Sequence, residues 1–292
     1  MFSRILLDIV LPVFAVVMLG FGYAKRAKPD MAWVNRISMN VLSPALIFSA
    51  LTSRDFNLLE HDVLMLGTVA VVLGSGLIAW PIARGLRVDT RTFVPPMMFN
   101  NCGNMGLPLA ILAFGSVGFP PMVSMFAISN LLNFTLGVWI LNHHARFINL
   151  LRNPMVWATF VGFACAIGKP PIPHWMATAI KLVGDAMVPM MLLSLGVRLA
   201  EVQWSDWRLG VLGAVLRPVS GIAIAMAVGP GLGLDVTQQG LLILFGCLPP
   251  AVLNFMVAEQ FRQEPAKVAS IVLLGNASAV VFVPIGLAIA LR

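Results

Sequence analysis

Hydrophobic residues fill long stretches of this chain, and short polar or Pro/Gly-rich interruptions separate them. A helix needs about 20 apolar residues to cross the ~30 Å hydrocarbon core of a bilayer, so each long run predicts a membrane-spanning helix. The pattern gives ten segments, numbered here in chain order: 5–24, 33–52, 63–84, 92–114, 119–141, 154–169, 174–198, 208–228, 236–260 and 267–291. The sequence therefore predicts an all-α integral membrane protein with ten transmembrane helices.

The composition excludes several other classes of protein. Of the 292 residues, 59% are hydrophobic and only 11% are charged, whereas soluble chains are about 25% charged. The net charge of +7 comes from 19 Lys and Arg residues without a basic patch, which argues against a nucleic-acid partner. No zinc-binding His/Glu motif, nucleophile elbow or phosphate-binding loop is present. We expect no enzyme, no cofactor and no metal site.

The distribution of basic residues predicts the orientation in a plasma or inner membrane. Connections that follow odd-numbered segments hold 13 Lys and Arg residues, and the opposite side holds four. Basic residues favour the cytoplasm. Both termini are therefore predicted outside, and the connection between segments 5 and 6 is predicted in the cytoplasm. The four on the outer side are Arg4, Arg54, Lys169 and Arg292.

The two halves of the chain, 1–145 and 146–292, share features at a nearly constant spacing. Pro44 and Pro189 lie 145 residues apart, as do Cys102 and Cys247, and Asn130 and Asn276 lie 146 apart. Each half holds five segments, an odd number, so the second half enters the membrane from the opposite side. This combination predicts an inverted repeat of five helices, a common architecture of secondary transporters.

Segments 4 and 9 contain residues that interrupt a helix at its middle. Segment 4 reads Asn100-Asn101-Cys102-Gly103-Asn104-Met105-Gly106-Leu107-Pro108, and segment 9 carries Pro249-Pro250 followed by Asn254. Proline removes a backbone donor and glycine tolerates an unwound chain. Freed polar groups at that depth must face protein or a water-filled cavity.

Each break starts a new half-helix, for which Pro108 and Pro249 suit the first turn. Unpaired N–H groups at a helix N-terminus favour an anion. We expect Asn101, Gly103, Asn104 and Pro108 to hold a carboxylate, with Pro249, Pro250 and Asn254 opposite. The alternative is two packing kinks that neighbouring helices satisfy. Further residues expected to line the cavity or orient the broken helices are Ser43, Asn130, Asn133 and Asn276.

The run Asn101-Cys102-Gly103-Asn104-Met105-Gly106-Leu107-Pro108 resembles the asparagine-glycine-proline signature of the auxin efflux carrier family. That family includes plant auxin carriers and bacterial malate or malonate permeases. The resemblance implies a fold similar to bile-acid symporters and crossed-helix antiporters, in which segments 4 and 9 cross. Segments 1, 2, 6 and 7 would form a scaffold that dimerises. Segments 3–5 and 8–10 would form a moving transporter domain, with segments 2, 5 and 7 lining the pocket.

Ionisable groups deep in a membrane are functional candidates by default. Asp185 in segment 7 is expected near the midplane, with Lys181 one turn earlier and Arg217 in segment 8. Two interpretations stay open at this point. Either Asp185 and Arg217 neutralise each other, or Asp185 carries a proton while Arg217 attracts the substrate carboxylate.

These observations together predict a carrier for small organic anions, auxin-like or dicarboxylate, that works by elevator-type alternating access. Its expected partners are the anion, the lipid bilayer and a second copy of the chain. A sodium- or proton-coupled symporter is the alternative mechanism, and an anion channel is the alternative class. The sequence does not distinguish between substrates or transport directions.

Overall fold

A computed structural model describes residues 5–27, 29–53, 58–141, 154–200 and 206–291 of the chain. Within these ranges the secondary structure is helical, without a strand. The predicted positions of the two termini, and of the connection between segments 5 and 6, concern residues outside the described ranges.

The α-helices of the described ranges are numbered in chain order. They are α1 (Leu11–Ala27), α2 (Met31–Ile37), α3 (Ser43–Leu51), α4 (Leu58–Gly85), α5 (Thr90–Met98), α6 (Leu107–Leu132), α7 (Val138–Leu141), α8 (Pro154–Gly168), α9 (His174–Asp185), α10 (Met187–Leu199), α11 (Trp207–Leu232), α12 (Val236–Cys247), α13 (Val252–Gln260) and α14 (Pro265–Ala290). Short π-helical turns lead into or follow several of them: Ile5–Val10, Ser38–Leu42, Cys102–Gly106 and Asn133–Gly137.

Six stretches are long and apolar enough to cross a membrane by length and composition. They are Leu7–Ala27, His61–Gly85, Cys102–Leu141, His174–Leu199, Trp207–Leu232 and Pro265–Ala290. Shorter apolar helices lie at Ser38–Leu51, Pro154–Gly168 and Val236–Cys247. The chain is therefore a multi-pass membrane protein, and the count of ten crossings stays a prediction.

Several long stretches are interrupted where the sequence holds glycine or proline. Gly115 adopts φ 68° and ψ −158°, which divides α6 close to the predicted end of segment 4. Segment 7 is split between α9 and α10 at Ala186, three residues before Pro189. Segment 2 passes from a π-helical turn into α3 next to Pro44. The proline pair of the proposed repeat thus marks a local irregularity in each half.

The helices pack in two groups. In one group α1 packs along α10, and α3 packs against α8 and α9. In the other group α11 packs against α14, α12 and α4, while α4 also contacts α5 and α6. The first group holds the predicted segments 1, 2, 6 and 7, and the second holds segments 3–5 and 8–10. A cavity described below lies between them.

Two glycines allow α1 and α10 to approach closely. A Cβ atom added to Gly20 of α1 would lie 2.1 Å from the carbonyl oxygen of Leu193. A Cβ atom added to Gly196 of α10 would lie 1.9 Å from the carbonyl oxygen of Val17. Small residues are the usual means by which helices pack closely in a membrane, so these glycines fix the α1–α10 contact.

We expect Gly20→Ala to lower the apparent melting temperature of the detergent-solubilised protein, because the new methyl group must push the two backbones apart. Overpacking of this kind costs about 1–3 kcal/mol. Gly22→Ala is the matched control, since nothing lies within 4 Å of the added Cβ. Thermal unfolding followed by tryptophan fluorescence measures both. Equal melting temperatures for the two variants would contradict the packing of α1 on α10.

Candidate functional site

The two interrupted segments cross each other in direct backbone contact. Helix α5 ends at Met98 and α12 ends at Cys247, and the chain then becomes extended. The N–H of Asn101 donates to the carbonyl of Pro249 at 2.7 Å, and the N–H of Ala251 donates to the carbonyl of Phe99 at 2.9 Å. Prolines 249 and 250 have no N–H of their own, so they leave no unpaired donor at the crossing.

Three asparagine amides complete the crossing. Asn276 Nδ2 donates to the Pro250 carbonyl at 3.0 Å, and Asn101 Nδ2 donates to Asn276 Oδ1 at 2.7 Å. Asn254 Nδ2 donates to the Phe99 carbonyl at 2.9 Å. A buried carbonyl without a partner costs free energy. The amides therefore replace the helical hydrogen bonds that the breaks remove.

Arg217 of α11 lies at the end of α12 and is fully buried. Its Nη1 donates to the carbonyl of Gly246 at 3.2 Å, next to the Phe245 carbonyl that accepts from Asn100 Nδ2 at 2.6 Å. A cation at a helix C-terminus complements the helix dipole. Arg217 thus caps α12.

The structure does not bring Asp185 to Arg217. Asp185 pairs with Lys181 one turn earlier at 2.7 Å, and their side chains are 52% and 65% exposed. The i,i+4 ion pair is present, and mutual neutralisation of Asp185 and Arg217 does not describe this geometry. The alternative, in which Asp185 carries a proton and Arg217 attracts the substrate, stays a prediction. Among the described residues, no group of three or more His, Cys, Asp and Glu side chains is arranged to hold a metal ion.

The half-helix after the first break begins earlier than Pro108. Helical conformation starts at Cys102, with Asn101 at the N-cap, and continues through Gly106 into α6. Pro108 is therefore six residues inside a continuous helix, which corrects the expectation that it forms the first turn. The second half-helix, α13, begins at Val252 after the Pro249-Pro250 pair.

A cavity of about 70 Å³, called here the inner cavity, lies against both half-helix N-termini. Its polar wall consists of amides, hydroxyls and the first residues of the two half-helices. A second wall is formed largely by methionines. The lining residues are Met39, Ser43, Asn100, Asn101, Cys102, Gly103, Asn104, Phe126, Ser129, Asn130, Asn133, Met155, Met187, Met191, Ser194, Arg198, Ala251, Val252, Leu253 and Met256.

The inner cavity brings together some of the predicted site residues and not others. The predicted residues that line it are Ser43, Asn101, Gly103, Asn104, Asn130 and Asn133. Those that do not are Pro108, Pro249, Pro250, Asn254, Lys181, Asp185 and Arg217. Pro249, Pro250 and Asn254 do not line the cavity but belong to the crossing that positions the two half-helices.

Two asparagines of the cavity wall have side-chain N–H groups that donate to no described acceptor. Asn130 Nδ2 is buried without a hydrogen-bond partner among the described residues. The Asn104 amide lines the cavity at the first turn of its half-helix. The N–H groups of Cys102 and Gly103, two residues of the cavity wall, also precede the first intrahelical bond, from Met105 N to the Asn101 carbonyl. The polar end of the cavity is therefore rich in donors.

The two backbone hydrogen bonds of the crossing are related by a constant shift along the chain. They interchange when Asn101 is exchanged with Ala251 and Phe99 with Pro249, a shift of 150 residues. This shift aligns Asn104 with Asn254. The sequence pattern predicts a spacing of about 146 for the breaks, and the inverted repeat itself stays a prediction.

Sequence reasoning missed Arg198, Ser129, Ser194 and the methionines that line the cavity. In the sequence, Arg198 is one of the 13 basic residues that predict the orientation of the chain. A signal for it exists in the spacing of Met187, Met191, Ser194 and Arg198, which places all four on one face of a helix. The sequence does not show which face of α10 meets the cavity, so the same spacing is also typical of a helix face that packs against a neighbouring helix.

Outside the membrane-spanning stretches, polar contacts tie the start of α5 to the turn before α14. Thr92 Oγ1 donates to Glu264 Oε2 at 2.6 Å, and Gln263 Nε2 donates to Asp89 Oδ2 at 3.0 Å. The hydrogen bond from Lys267, with a smaller contribution from Thr92, lowers the pKa of Glu264 below its usual value. These contacts join the start of broken segment 4 to the turn that follows segment 9.

Comparison with known proteins gives matches over nearly the whole chain. The profile of a family described as membrane transport protein matches residues 5–146 and 143–287. A Rhizobium meliloti protein named "Putative malonate transporter" is 24% identical over 91% of this chain and 90% of its own length. An uncharacterized transporter of Methanothermobacter thermautotrophicus is 25% identical over 95% of this chain and 96% of its own. Auxin efflux carrier component 3a of Oryza sativa is 27% identical over 43% of this chain and 22% of its own.

We expect Asn276→Ala to destabilise the protein, because it leaves the Pro250 carbonyl and the Asn101 amide without partners in a buried site. Each orphaned group costs about 1–3 kcal/mol. Asn130→Ala is the matched control, since its Nδ2 has no partner to lose. Thermal unfolding in detergent should give a clear loss for Asn276→Ala and little change for Asn130→Ala. The reverse order would show that the amides do not hold the crossing.

Proposed function

Because the chain belongs to the membrane transport protein family, the family of the auxin efflux carriers, we propose that its inner cavity carries small organic anions across the membrane. The observation that carries this proposal is the donor-rich end of the cavity. Two half-helix N-termini and the amides of Asn104 and Asn130 face one small space. The relatives are transporters and not enzymes, in agreement with the sequence.

The electrostatics of the cavity favour a carboxylate. Each helix N-terminus carries roughly half a positive charge, and surrounding protein of low polarity strengthens its effect compared with water. Amide N–H groups add donors of fixed geometry. The names of two relatives, which mention malonate and auxin, also refer to organic anions.

We propose that transport proceeds by an elevator-type motion of one helix group against the other. Met39, Ser43 and Met187 come from the group that holds α3 and α10, while Asn104, Asn130 and Val252 come from the other group. A cavity walled by both groups changes its access when one group slides. The finer architecture, with ten crossings, an inverted repeat of 1–145 and 146–292, and the scaffold and transporter roles, belongs to this proposal.

We further propose a potential-driven carrier as the mechanism. Moving one charge through 100 mV is worth about 2.3 kcal/mol, so a negative interior expels an organic anion without a second ion. Sodium- or proton-coupled symport and an anion channel are the competing mechanisms. The proposed orientation places the segment 5–6 connection in the cytoplasm and both termini outside. The proposed oligomer is a homodimer through segments 1, 2, 6 and 7.

Asn104→Ala should abolish saturable carboxylate current, because it removes an amide from the cavity wall. Solid-supported membrane electrophysiology on proteoliposomes in sodium-free buffer measures this, with malonate and indole-3-acetate as probes. The wild type should give a current that saturates with one of these acids. The melting temperature of the variant should stay near that of the wild type, which separates loss of binding from loss of fold.

Other outcomes would replace parts of the proposal. A wild-type current that needs sodium or a proton gradient would favour the symporter. A linear current that does not saturate and survives Asn104→Ala would favour a channel. A saturable current of the same size in Asn104→Ala would show that the substrate does not bind at this end of the cavity.

A further inference from the structure

One face of α10 follows the inner cavity along its length. Met187, Met191, Ser194 and Arg198 are spaced by four, three and four residues and all line the cavity. At about 1.5 Å per residue, Arg198 lies roughly 16 Å along the helix from Met187. Met187 is at the deep end, where its sulfur accepts a hydrogen bond from Ser43 Oγ at 3.2 Å. The face therefore changes from thioether to hydroxyl to cation along the cavity.

Arg198 also lines two other cavities. One is a wide space of about 840 Å³, called here the vestibule, whose wall includes Asp30, Arg36 and Glu259. The other is a lateral cavity of about 270 Å³ that reaches Pro265 on α14. Arg198 is the one described residue common to all three spaces. It therefore lies between the vestibule and the inner cavity.

The charged residues in the walls of the vestibule and the inner cavity distinguish Arg198 from its neighbours. The vestibule wall has two arginines and two carboxylates, so its formal charges balance. Of these four groups, only Arg198 also belongs to the described wall of the inner cavity, where no carboxylate is found. Side chains on a helix lean toward its N-terminus, which directs Arg198, in the last turn of α10, back toward Ser194 and the cavity.

Two other roles of an arginine at this position do not require these contacts. A basic residue in the last turn complements the helix dipole, and a basic residue at a membrane boundary helps to orient the chain. Neither role places the side chain at the junction of three cavities, and neither predicts an effect on substrate affinity.

We propose that Arg198 determines specificity for anions by drawing a carboxylate from the vestibule into the inner cavity, toward the amides of Asn104 and Asn130. This inference rests on the proposed function and adds a residue to it. The amide end then recognises the carboxylate group, while Arg198 selects negatively charged molecules at the entrance. The methionine wall accommodates the remainder of the molecule.

The test compares Arg198→Gln, Arg198→Lys and Arg36→Gln in proteoliposomes, with malonate and indole-3-acetate as probes at low and high salt. Arg198→Gln should raise KM by about 10- to 100-fold, the value of a charged hydrogen bond, with little change in kcat. It should also abolish the salt dependence of kcat/KM, since steering by a charge is screened by salt. Arg198→Lys should keep that salt dependence but raise KM by about 3- to 10-fold, because it lacks the planar fork.

Arg36→Gln is the matched control, because it removes the same charge from the vestibule wall without touching the inner cavity. Its KM should change by less than about threefold. Equal effects of Arg36→Gln and Arg198→Gln would overturn the inference, as would a lower kcat at unchanged KM. Thermal unfolding shows whether Arg198→Gln folds. If it does not fold, the KM and the salt dependence of Arg198→Lys test the inference.

The two proposals fail in different ways. Saturable wild-type flux that depends on Asn104 but is unchanged in Arg198→Gln would overturn the role of Arg198 alone. Absence of saturable carboxylate flux in the wild type would overturn the proposed function and this inference together.

Discussion

The hydrocarbon core of a bilayer contains no water to hydrogen-bond the free backbone groups of a broken helix, so these groups need partners within the protein. This constraint determines the structure at the centre of the molecule. Both breaks expose backbone groups inside the predicted membrane segments 4 and 9, and each break supplies the hydrogen-bond partners that the other lacks. The Asn101 N–H meets the Pro249 carbonyl, and the Ala251 N–H meets the Phe99 carbonyl. Because the two segments satisfy each other, their following half-helices must start side by side. The shared cavity at both N-termini is a consequence of that pairing.

The asparagines of the two halves of the chain have different surroundings. Asn254 and Asn276, in the second half, are engaged in the crossing. Asn104 and Asn130, which precede Asn254 and Asn276 by 150 and 146 residues, line the inner cavity. One set of amides holds the backbone in place, and the other set stays available. This division explains how a site made of neutral groups can be both rigid and able to accept a ligand.

Charge is distributed in a similarly uneven way. Arg217 is buried at the end of α12, where its guanidinium donates a hydrogen bond to the Gly246 carbonyl. Lys181 and Asp185 form a pair of exposed side chains away from the cavity. Arg198 is the basic side chain in the described wall of the cavity. In the proposed function, a carboxylate would meet this cation on the vestibule side and neutral donors at the half-helix N-termini.

The sequence by itself determined the class, the broken segments and the residue types of the site. Long apolar runs leave few alternatives to membrane helices, and the Asn, Gly and Pro residues of segments 4 and 9 mark their breaks because these residues act on their own backbone. It did not determine where the half-helix begins, because the Asn and Gly residues at 101–106 are compatible with an unwound chain, whereas Cys102–Gly106 are helical in the structure. It also did not show that Asp185 lies away from Arg217, or that Arg198 faces the cavity. Such pairings depend on the rotation of each helix about its axis. In a nearly uniform apolar helix, contacts with neighbouring helices set that rotation, so only the tertiary structure decided them.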